Sequence, residues 1–130
     1  MTAGLALYLS RSKSRLVIID NYMNDEVVRW AAAPSGDPKI TLIGKSFDAT
    51  AMSEASAIAS SGKTVTLIRH REIDDRWAVR DGDWLHSGHS FKDIGKKRSR
   101  LSPITNPAEI AEHEDMLLDL ISTGEKVQLP

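Results

Sequence analysis

The residues best suited to chemistry lie in one stretch of the chain, between Ile73 and Lys97. This stretch combines carboxylates, an arginine and a loop with glycine, hydroxyl and basic residues, namely Asp74, Arg76, Asp81, Gly88, His89, Ser90, Lys92 and Lys96. Loops that carry Gly, His, Ser and Lys together on a rigid pair of strands are typical of phosphate chemistry. The residue types therefore indicate a phosphate site in this stretch.

Hydrophobic periodicity indicates the elements that position this stretch. Continuous apolar runs rich in β-branched residues predict three buried strands, at residues 15–20, 39–43 and 64–68. Helices are predicted between them, with Asn24 capping the first and Ser46 capping the second. The order β-α-β-α-β with short connections predicts a parallel sheet covered by helices.

The pattern changes after the third strand. Two short apolar runs flank Asp81-Gly82-Asp83 and predict an antiparallel hairpin. A further strand is expected at residues 101–104, and Asn106 then caps a helix that ends at Gly124. The buried stripe of that helix is predicted at four apolar positions, Ile110, Leu117, Leu118 and Ile121. Residues 125–130 are expected to form a tail.

These elements predict one domain over residues 1–130, with an α/β fold. The sheet is expected to be mixed and largely parallel, with helices on both faces and an antiparallel hairpin near the motif. A length of 130 residues with 41% hydrophobic and 27% charged residues fits one soluble globular domain. The net charge of -1 argues against a bulk polyanion binder. Basic residues nevertheless cluster at 11–15, 69–80 and 96–100, which suits local contacts with phosphates.

Several classes of site are excluded by composition. The chain contains no cysteine, which removes disulfides, thiolate chemistry and zinc–cysteine sites. No apolar run approaches the roughly 20 residues of a membrane span, and the first residues lack the pattern of a secretory leader. We therefore expect a cytoplasmic protein, and the sequence predicts neither a metal site nor a cofactor.

The stretch from Asp74 to Gly95 resembles a half-domain of the phospholipase D superfamily, whose signature is H-x-K-x4-D-x6-G-S. Arg76 stands at the lysine position, Asp81 at the aspartate and Gly88 at the glycine, with both spacings kept. The run DDRWAVRDGDWLHSGHSFKDIGKK is similar to the HDRW…D…GHSxKDLGKK of prokaryotic members. The upstream RLVIIDNYMND resembles their first strand and turn, so the likeness spans roughly residues 15 to 104.

The resemblance implies a phosphodiester site that lacks the family's nucleophile. Asp74 stands where the family has a histidine that attacks phosphorus, and a carboxylate is a poorer nucleophile toward an anionic diester. Arg76 keeps the positive charge and can grip phosphate through two N–H groups. The implied function is binding of nucleic acid or another phosphodiester by a catalytically degenerate domain. The implied phosphate contacts are Arg76, Gly88, His89, Ser90, Lys92 and Lys96. Since active members with one motif form symmetric dimers, a homodimer or a larger assembly is expected.

Two other functions stay open. In one, the chain is an active phosphodiesterase or nuclease, and His89 or His70 replaces the missing nucleophile at Asp74. Its catalytic set would then be drawn from Asp74, Arg76, Asp81 and His89. In the other, the domain is structural or binds a partner protein, and side chains fill the inherited cleft.

Individual residues also have two interpretations. Trp77 and Trp84 would stack on nucleobases or, as is commoner on a hairpin, pack in the core. Asp20 and Asn21 would face the cleft at the end of the first strand, or cap the following turn. His86 is expected to face outward or to pair with a carboxylate.

Overall fold

The computed structural model describes residues 2–73, 75–87 and 101–130. The predictions for Asp74 and for the residues from Gly88 to Lys97 lie outside these ranges. Within the ranges, no helix is long and apolar enough to cross a membrane.

Nine strands and four helices form the described parts of the chain. The helices are α1 (Thr2–Ser10), α2 (Asp25–Trp30), α3 (Ala49–Ser60) and α4 (Pro107–Thr123). The strands are β1 (Arg15–Ile19), β2 (Tyr22–Met23), β3 (Lys39–Gly44), β4 (Ser46–Phe47), β5 (Val65–Arg69), β6 (Arg76–Arg80), β7 (Asp83–Ser87), β8 (Leu101–Ile104) and β9 (Glu125–Val127).

Seven of these strands form one mixed sheet in the order β8-β7-β6-β1-β3-β5-β9. Its centre, β1-β3-β5, is parallel, and the strands on both sides of this centre are antiparallel to their neighbours. The α/β class and the hairpin of β6 and β7 are thereby confirmed. The predicted tail is wrong, because β9 extends the sheet by pairing Leu67 with Val127.

The two faces of the sheet are covered by different helices. Residues Leu16 and Ile18 of β1 pack with α1, α2 and α3 on what we call the three-helix face. Val17 and Ile19 point the other way and pack with Leu117 and Leu120 of α4, on what we call the α4 face. Because side chains alternate along a strand, one apolar run supplies both cores. Helices on both faces are thus confirmed.

The helix caps follow the sequence with one exception. The side chains of Asn24 and Asn106 accept hydrogen bonds from the first turns of α2 and α4, as predicted. The prediction that Ser46 caps α3 is wrong, because Asp48 Oδ1 accepts from the Ala51 N–H at 2.7 Å. Ser46 instead pairs with Tyr22 in a two-stranded sheet of β2 and β4, which delays the start of the helix.

The buried stripe of α4 differs from the predicted one at two positions, because Leu118 is exposed and Leu120, which was not predicted, is buried. Ile110 and Ile121 are partly buried against the same core. Leu117 and Leu120 are buried, whereas the Leu118 side chain is 66% exposed and points away from the sheet. Positions 110, 113, 117, 120 and 121 share one face at helical spacing, and position 118 lies one step beyond it. The core interpretation of Trp77 and Trp84 is confirmed, since both are buried with ring centroids 5.7 Å apart.

Candidate functional site

The candidate site lies at the edge of the sheet where the parallel strands β1, β3 and β5 end, which we call the carboxyl edge. The strands stay in register beyond their ends, because Asp20 N–H donates to the Ile43 carbonyl at 3.0 Å and His70 N–H to the Gly44 carbonyl at 2.9 Å. Ligands of open α/β sheets bind beyond the carboxyl ends of the strands. Since β6 runs antiparallel to β1, Arg76 begins its strand at this same edge.

Arg76 is held at the carboxyl edge by two polar residues that follow β1. Its Nε lies 3.8 Å from Asp20 Oδ1, and the Asp20 side chain is completely buried. Asn21 bridges two groups when its amide is oriented to satisfy both ends. Its Oδ1 accepts from Arg76 Nη2 at 3.1 Å, and its Nδ2 donates to the Ile73 carbonyl at 2.8 Å. Asp20 and Asn21 thus fix the position of the guanidinium.

The Arg76 guanidinium is neither fully buried nor fully satisfied. Its side chain keeps 24% of its surface exposed. Its Nε atom is buried without a hydrogen-bond partner among the described residues. A cation with exposed surface beside a buried carboxylate is only partly compensated, so Arg76 can still attract an anion at this edge.

Gly44 allows the chain after β1 to run close beside β3. A Cβ atom at this position would lie 3.0 Å from the Asp20 carbonyl oxygen and 3.5 Å from the Phe47 ring. The first distance is tighter than ordinary van der Waals contact, so a side chain here would displace Asp20. The close approach of the two backbones therefore depends on glycine.

The end of β7 lies directly beside Arg76. Arg76 and Ser87 are cross-strand partners, and Ser87 is completely buried. Strand β7 therefore ends at the carboxyl edge, and Gly88 follows it in the sequence. The remaining predicted contacts, Asp74, Gly88, His89, Ser90, Lys92 and Lys96, lie outside the described residues.

Asp81 lies at the other end of β6 and is not brought to Arg76. The length of the strand separates the two residues by about 17 Å, at ~3.3 Å per residue. Asp81 Oδ1 accepts hydrogen bonds from the backbone N–H groups of Lys13 (3.0 Å), Ser14 (2.7 Å) and Arg15 (3.2 Å). These bonds, that from Ser14 first, lower the pKa of Asp81 from 3.8 to about 2. Its carboxylate thus ties the hairpin turn to the segment before β1.

His70 is occupied by local contacts. The Thr123 hydroxyl donates to the Asp119 carbonyl at 2.8 Å, so His70 Nε2, which lies 2.8 Å from Thr123 Oγ1, supplies the proton of that contact. His70 Nδ1 accepts from the Glu72 N–H at 3.0 Å. With both ring nitrogens engaged, His70 has no free lone pair with which to attack phosphorus.

The three described histidines lie on the α4 face. His70 contacts Thr123 of α4, while the rings of His86 and His113 pack at a tilt against Trp77, at centroid distances of 4.7 and 4.3 Å. Arg76 precedes Trp77 on β6 and therefore points to the opposite, three-helix face. His86 also pairs with Asp75 at 2.8 Å, as expected for a strand histidine near a carboxylate.

Two further residues of the carboxyl edge were not singled out from the sequence. Lys45 and Tyr22 are exposed and directly follow Gly44 and Asn21, respectively. Their positions after predicted strands were the signal that could have identified them. No group of three or more potential metal ligands occurs in the described ranges.

The described residues thus form a mixed α/β fold with a parallel centre. No family model matches the sequence, and no curated protein is similar to it. NucT from Helicobacter pylori has a similar structure with a TM-score of 0.70 and 8% identity, over 96% of this chain and 89% of NucT.

A second similar structure is that of TrmBL2, an archaeal chromatin protein that shows a novel mode of DNA binding. Its TM-score is 0.59 at 15% identity, over 97% of this chain. The chain spans 49% of the length of TrmBL2, about half. At these identities, both likenesses concern the fold.

Proposed function

We propose that this chain is a phosphodiester-binding domain of the phospholipase D type that binds nucleic acid at its carboxyl edge. The observation that carries the proposal is the position of Arg76, which Asn21 and Asp20 hold at this edge beside the end of β7. An arginine oriented by neighbouring side chains presents its remaining N–H groups in a fixed geometry that matches phosphate oxygens. The DNA binding of TrmBL2, about half of which is similar in structure to this chain, supports nucleic acid as the ligand.

The segment after Ser87 supplies the other proposed phosphate contacts. Gly88, His89 and Ser90 follow the end of β7 in the chain, and Lys92 and Lys96 come after them. In this proposal, backbone N–H groups and the Ser90 hydroxyl donate to the phosphate, while the lysines neutralise its charge. In this proposal, a homodimer or larger assembly places two such segments at one site. The domain uses no cofactor and acts in the cytoplasm.

In the proposed domain, catalysis is lost because Asp74 replaces the attacking histidine. The alternative is an active phosphodiesterase in which His89 or His70 attacks phosphorus. His70 has both nitrogens engaged and lies on the α4 face, away from Arg76. The active alternative therefore depends on His89, whose role the turnover assay tests.

The binding test compares two arginines of the same strand. Arg76 and Arg80 point to the same face of β6 and are both 24% exposed, but they lie at opposite ends. We expect the wild-type chain to bind a fluorescent oligonucleotide with an affinity that falls steeply with salt concentration. Arg76→Gln should weaken binding about 5- to 100-fold, and Arg80→Gln should leave it nearly unchanged.

Folding of the Arg76 variant must be separated from binding. Thermal unfolding identifies the folded fraction, and Arg76→Lys keeps the charge beside Asp20 while losing the paired N–H geometry. We expect Arg76→Lys to fold and to bind with intermediate affinity. Wild-type affinity in folded Arg76→Lys and Arg76→Gln, or no salt dependence in the wild type, would refute the proposal.

Catalysis is tested with DNA, RNA and a chromogenic diester. We expect no turnover from wild-type chain that binds the oligonucleotide. Turnover by the wild type that disappears in His89→Ala would show that the chain is an active phosphodiesterase and not a catalytically degenerate domain. Absence of any binding at low salt would favour a structural or partner-binding domain.

A further inference from the structure

Tyr22 is an exposed aromatic residue on a rigid support at the carboxyl edge. The large hydrophobic residues exposed in the described ranges are Leu7, Tyr22 and Leu118, and Tyr22 is the aromatic one, with 53% of its surface exposed. It pairs with Ser46 in the sheet of β2 and β4, and the next residue, Met23, is buried against the three-helix face. Met23 therefore anchors β2 while Tyr22 points outward.

Asn21 connects Tyr22 to Arg76. The Asn21 side chain accepts from Arg76, and its carbonyl accepts from the N–H groups of Lys45 at 2.9 Å and Ser46 at 3.1 Å. Tyr22 is its neighbour in the chain, so their Cα atoms are about 3.8 Å apart. Arg76 and Lys45 thus each donate a hydrogen bond to Asn21, and Tyr22 follows Asn21 in the chain, so all three residues lie at the carboxyl edge.

The space beside Tyr22 suits an uncharged ring better than a phosphate. A cavity of about 310 Å³ is lined by Tyr22, Met23, Asn24, Ser46 and Asp48. Its carboxylate, Asp48, already accepts hydrogen bonds from Thr50 and Ala51 as the cap of α3. An anion would be repelled by that carboxylate, whereas a flat base can contact the ring and the Met23 backbone.

We infer that Tyr22 stacks on a nucleobase next to the phosphate at Arg76, so that the carboxyl edge takes single-stranded nucleic acid. The inference rests on the proposed function and deepens it. In a duplex, both faces of each base are covered by neighbouring bases, so a protein side chain cannot stack on them without unstacking the helix. An unpaired base offers its face without that cost, and an aromatic side chain accepts any of the four bases.

The test uses three DNA ligands that carry the same number of phosphates per strand. These are a single-stranded oligothymidine, a single strand of equal length with abasic sites, and a duplex. We expect fluorescence anisotropy to show the highest affinity for the oligothymidine. Tyr22→Ala should weaken its binding about 5- to 150-fold and leave binding of the abasic strand unchanged. Tyr22→Phe, which keeps the ring, should retain the wild-type preference.

The control variant is Leu118→Ala, which truncates an exposed residue on α4, and it should bind like the wild type. If the wild-type chain binds none of the three ligands, the proposed function fails and the inference fails with it. If the wild type binds all three equally, or if folded Tyr22→Ala keeps the preference for bases, the inference is wrong and the proposed function stands. Should Tyr22→Ala not fold, the wild-type affinities for oligothymidine and the abasic strand are compared instead. Tighter binding of oligothymidine supports the inference, and equal affinities contradict it.

Discussion

The two ends of β6 carry the same kinds of residues in different settings. Arg80 stacks over the Tyr8 ring, with its guanidinium carbon 4.2 Å from the centroid, and pairs with Asp83 at 3.1 Å. Arg76, on the same face and equally exposed, contacts Asn21 and lies beside the buried Asp20. Arg80 is paired within the protein, and we call its end of β6 the closed end. Arg76 lies at the carboxyl edge beside Ser87, the last residue of β7, and we call its end of β6 the open end.

The carboxylates at the two ends differ in the same way. Asp81 accepts from the backbone of residues 13–15, and its own carbonyl accepts from Arg15 Nε at 2.5 Å. Arg15 continues this network to Glu114 of α4, which also accepts from Trp84 Nε1 at 2.9 Å. The Arg15 contact lowers the pKa of Glu114. The hairpin turn is thus joined to residues 13–15 and, through Arg15, to α4. Its charged groups therefore stabilise the fold.

The largest expected effect concerns the buried carboxylate at the open end. Arg76→Gln leaves Asp20 without the neighbouring charge, which we expect to cost about 3 kcal/mol of unfolding free energy. Arg80→Gln should cost less than about 1 kcal/mol, because its partner Asp83 is exposed. Urea unfolding of the two variants measures the difference between the two ends.

A compensating change separates stability from binding at Arg76. Asp20→Asn combined with Arg76→Gln removes both charges while keeping side chains that can hydrogen-bond. We expect most of the lost stability to return and nucleic-acid binding to stay weak. Recovery of both properties would mean that the Arg76 charge is not used for binding.

The closed end gives the second effect. Glu114→Ala removes the acceptor of the buried Trp84 N–H and the partner of Arg15, which should cost about 2 kcal/mol without changing nucleic-acid binding. Denaturant unfolding and anisotropy measure the two quantities. Glu112→Ala is the control, since Glu112 is exposed on the same helix. A loss of binding in folded Glu114→Ala would show that the two ends are coupled.

Local patterns predicted most of the fold. The apolar runs gave β1, β3 and β5, and Asn24 and Asn106 gave two helix starts, because these signals depend on neighbours in the sequence. Strands β2, β4 and β9 were missed, since they have two or three residues and form only by pairing with distant strands. The helix prediction at Ser46 failed for the same reason.

The site was predictable in part. The motif spacing selected Arg76, and the strand end selected Asp20 and Asn21. Their mutual contact joins residues that are more than 50 positions apart, and no local signal encodes it. Likewise, the motif offered no way to see that Asp81 turns toward residues 13–15 at the other end of β6. Spacing identifies residue types, and the register of β6 against β1 decides which of them meet.

The third effect is a pH dependence at the closed end. Asp81 has a φ of 56°, which Asn also tolerates, so Asp81→Asn removes the charge with little backbone strain. Hydrogen bonds from residues 13–15 lower the pKa of Asp81 to about 2 in the folded chain, so its contribution is complete above its ordinary value of 3.8 and is lost as the pH falls through about 2.

The expected cost of Asp81→Asn near pH 7 is about 1 kcal/mol, since solvent near the carboxylate weakens the bonds. Urea unfolding at several pH values should show the difference from the wild type shrinking between about pH 4 and pH 2. Asp83→Asn, in the same turn, should show a smaller difference. If the difference in unfolding free energy stayed constant over this range, the stabilisation would not depend on the charge of Asp81.

The smallest effect tests whether the open end attracts phosphates through charge alone. Lys39 and Lys45 are both exposed and flank β3, with Lys39 at its amino end and Lys45 just past its carboxyl end. Each phosphate contact contributes about one unit to the slope of log affinity against log salt concentration. Lys45→Gln should therefore reduce that slope by about 1, with a change of only a few-fold in affinity at moderate salt, and Lys39→Gln should not change it. Equal slopes for the two variants would mean that bound nucleic acid does not distinguish the two edges of the sheet, and the comparison of the two ends of β6 would then concern folding alone.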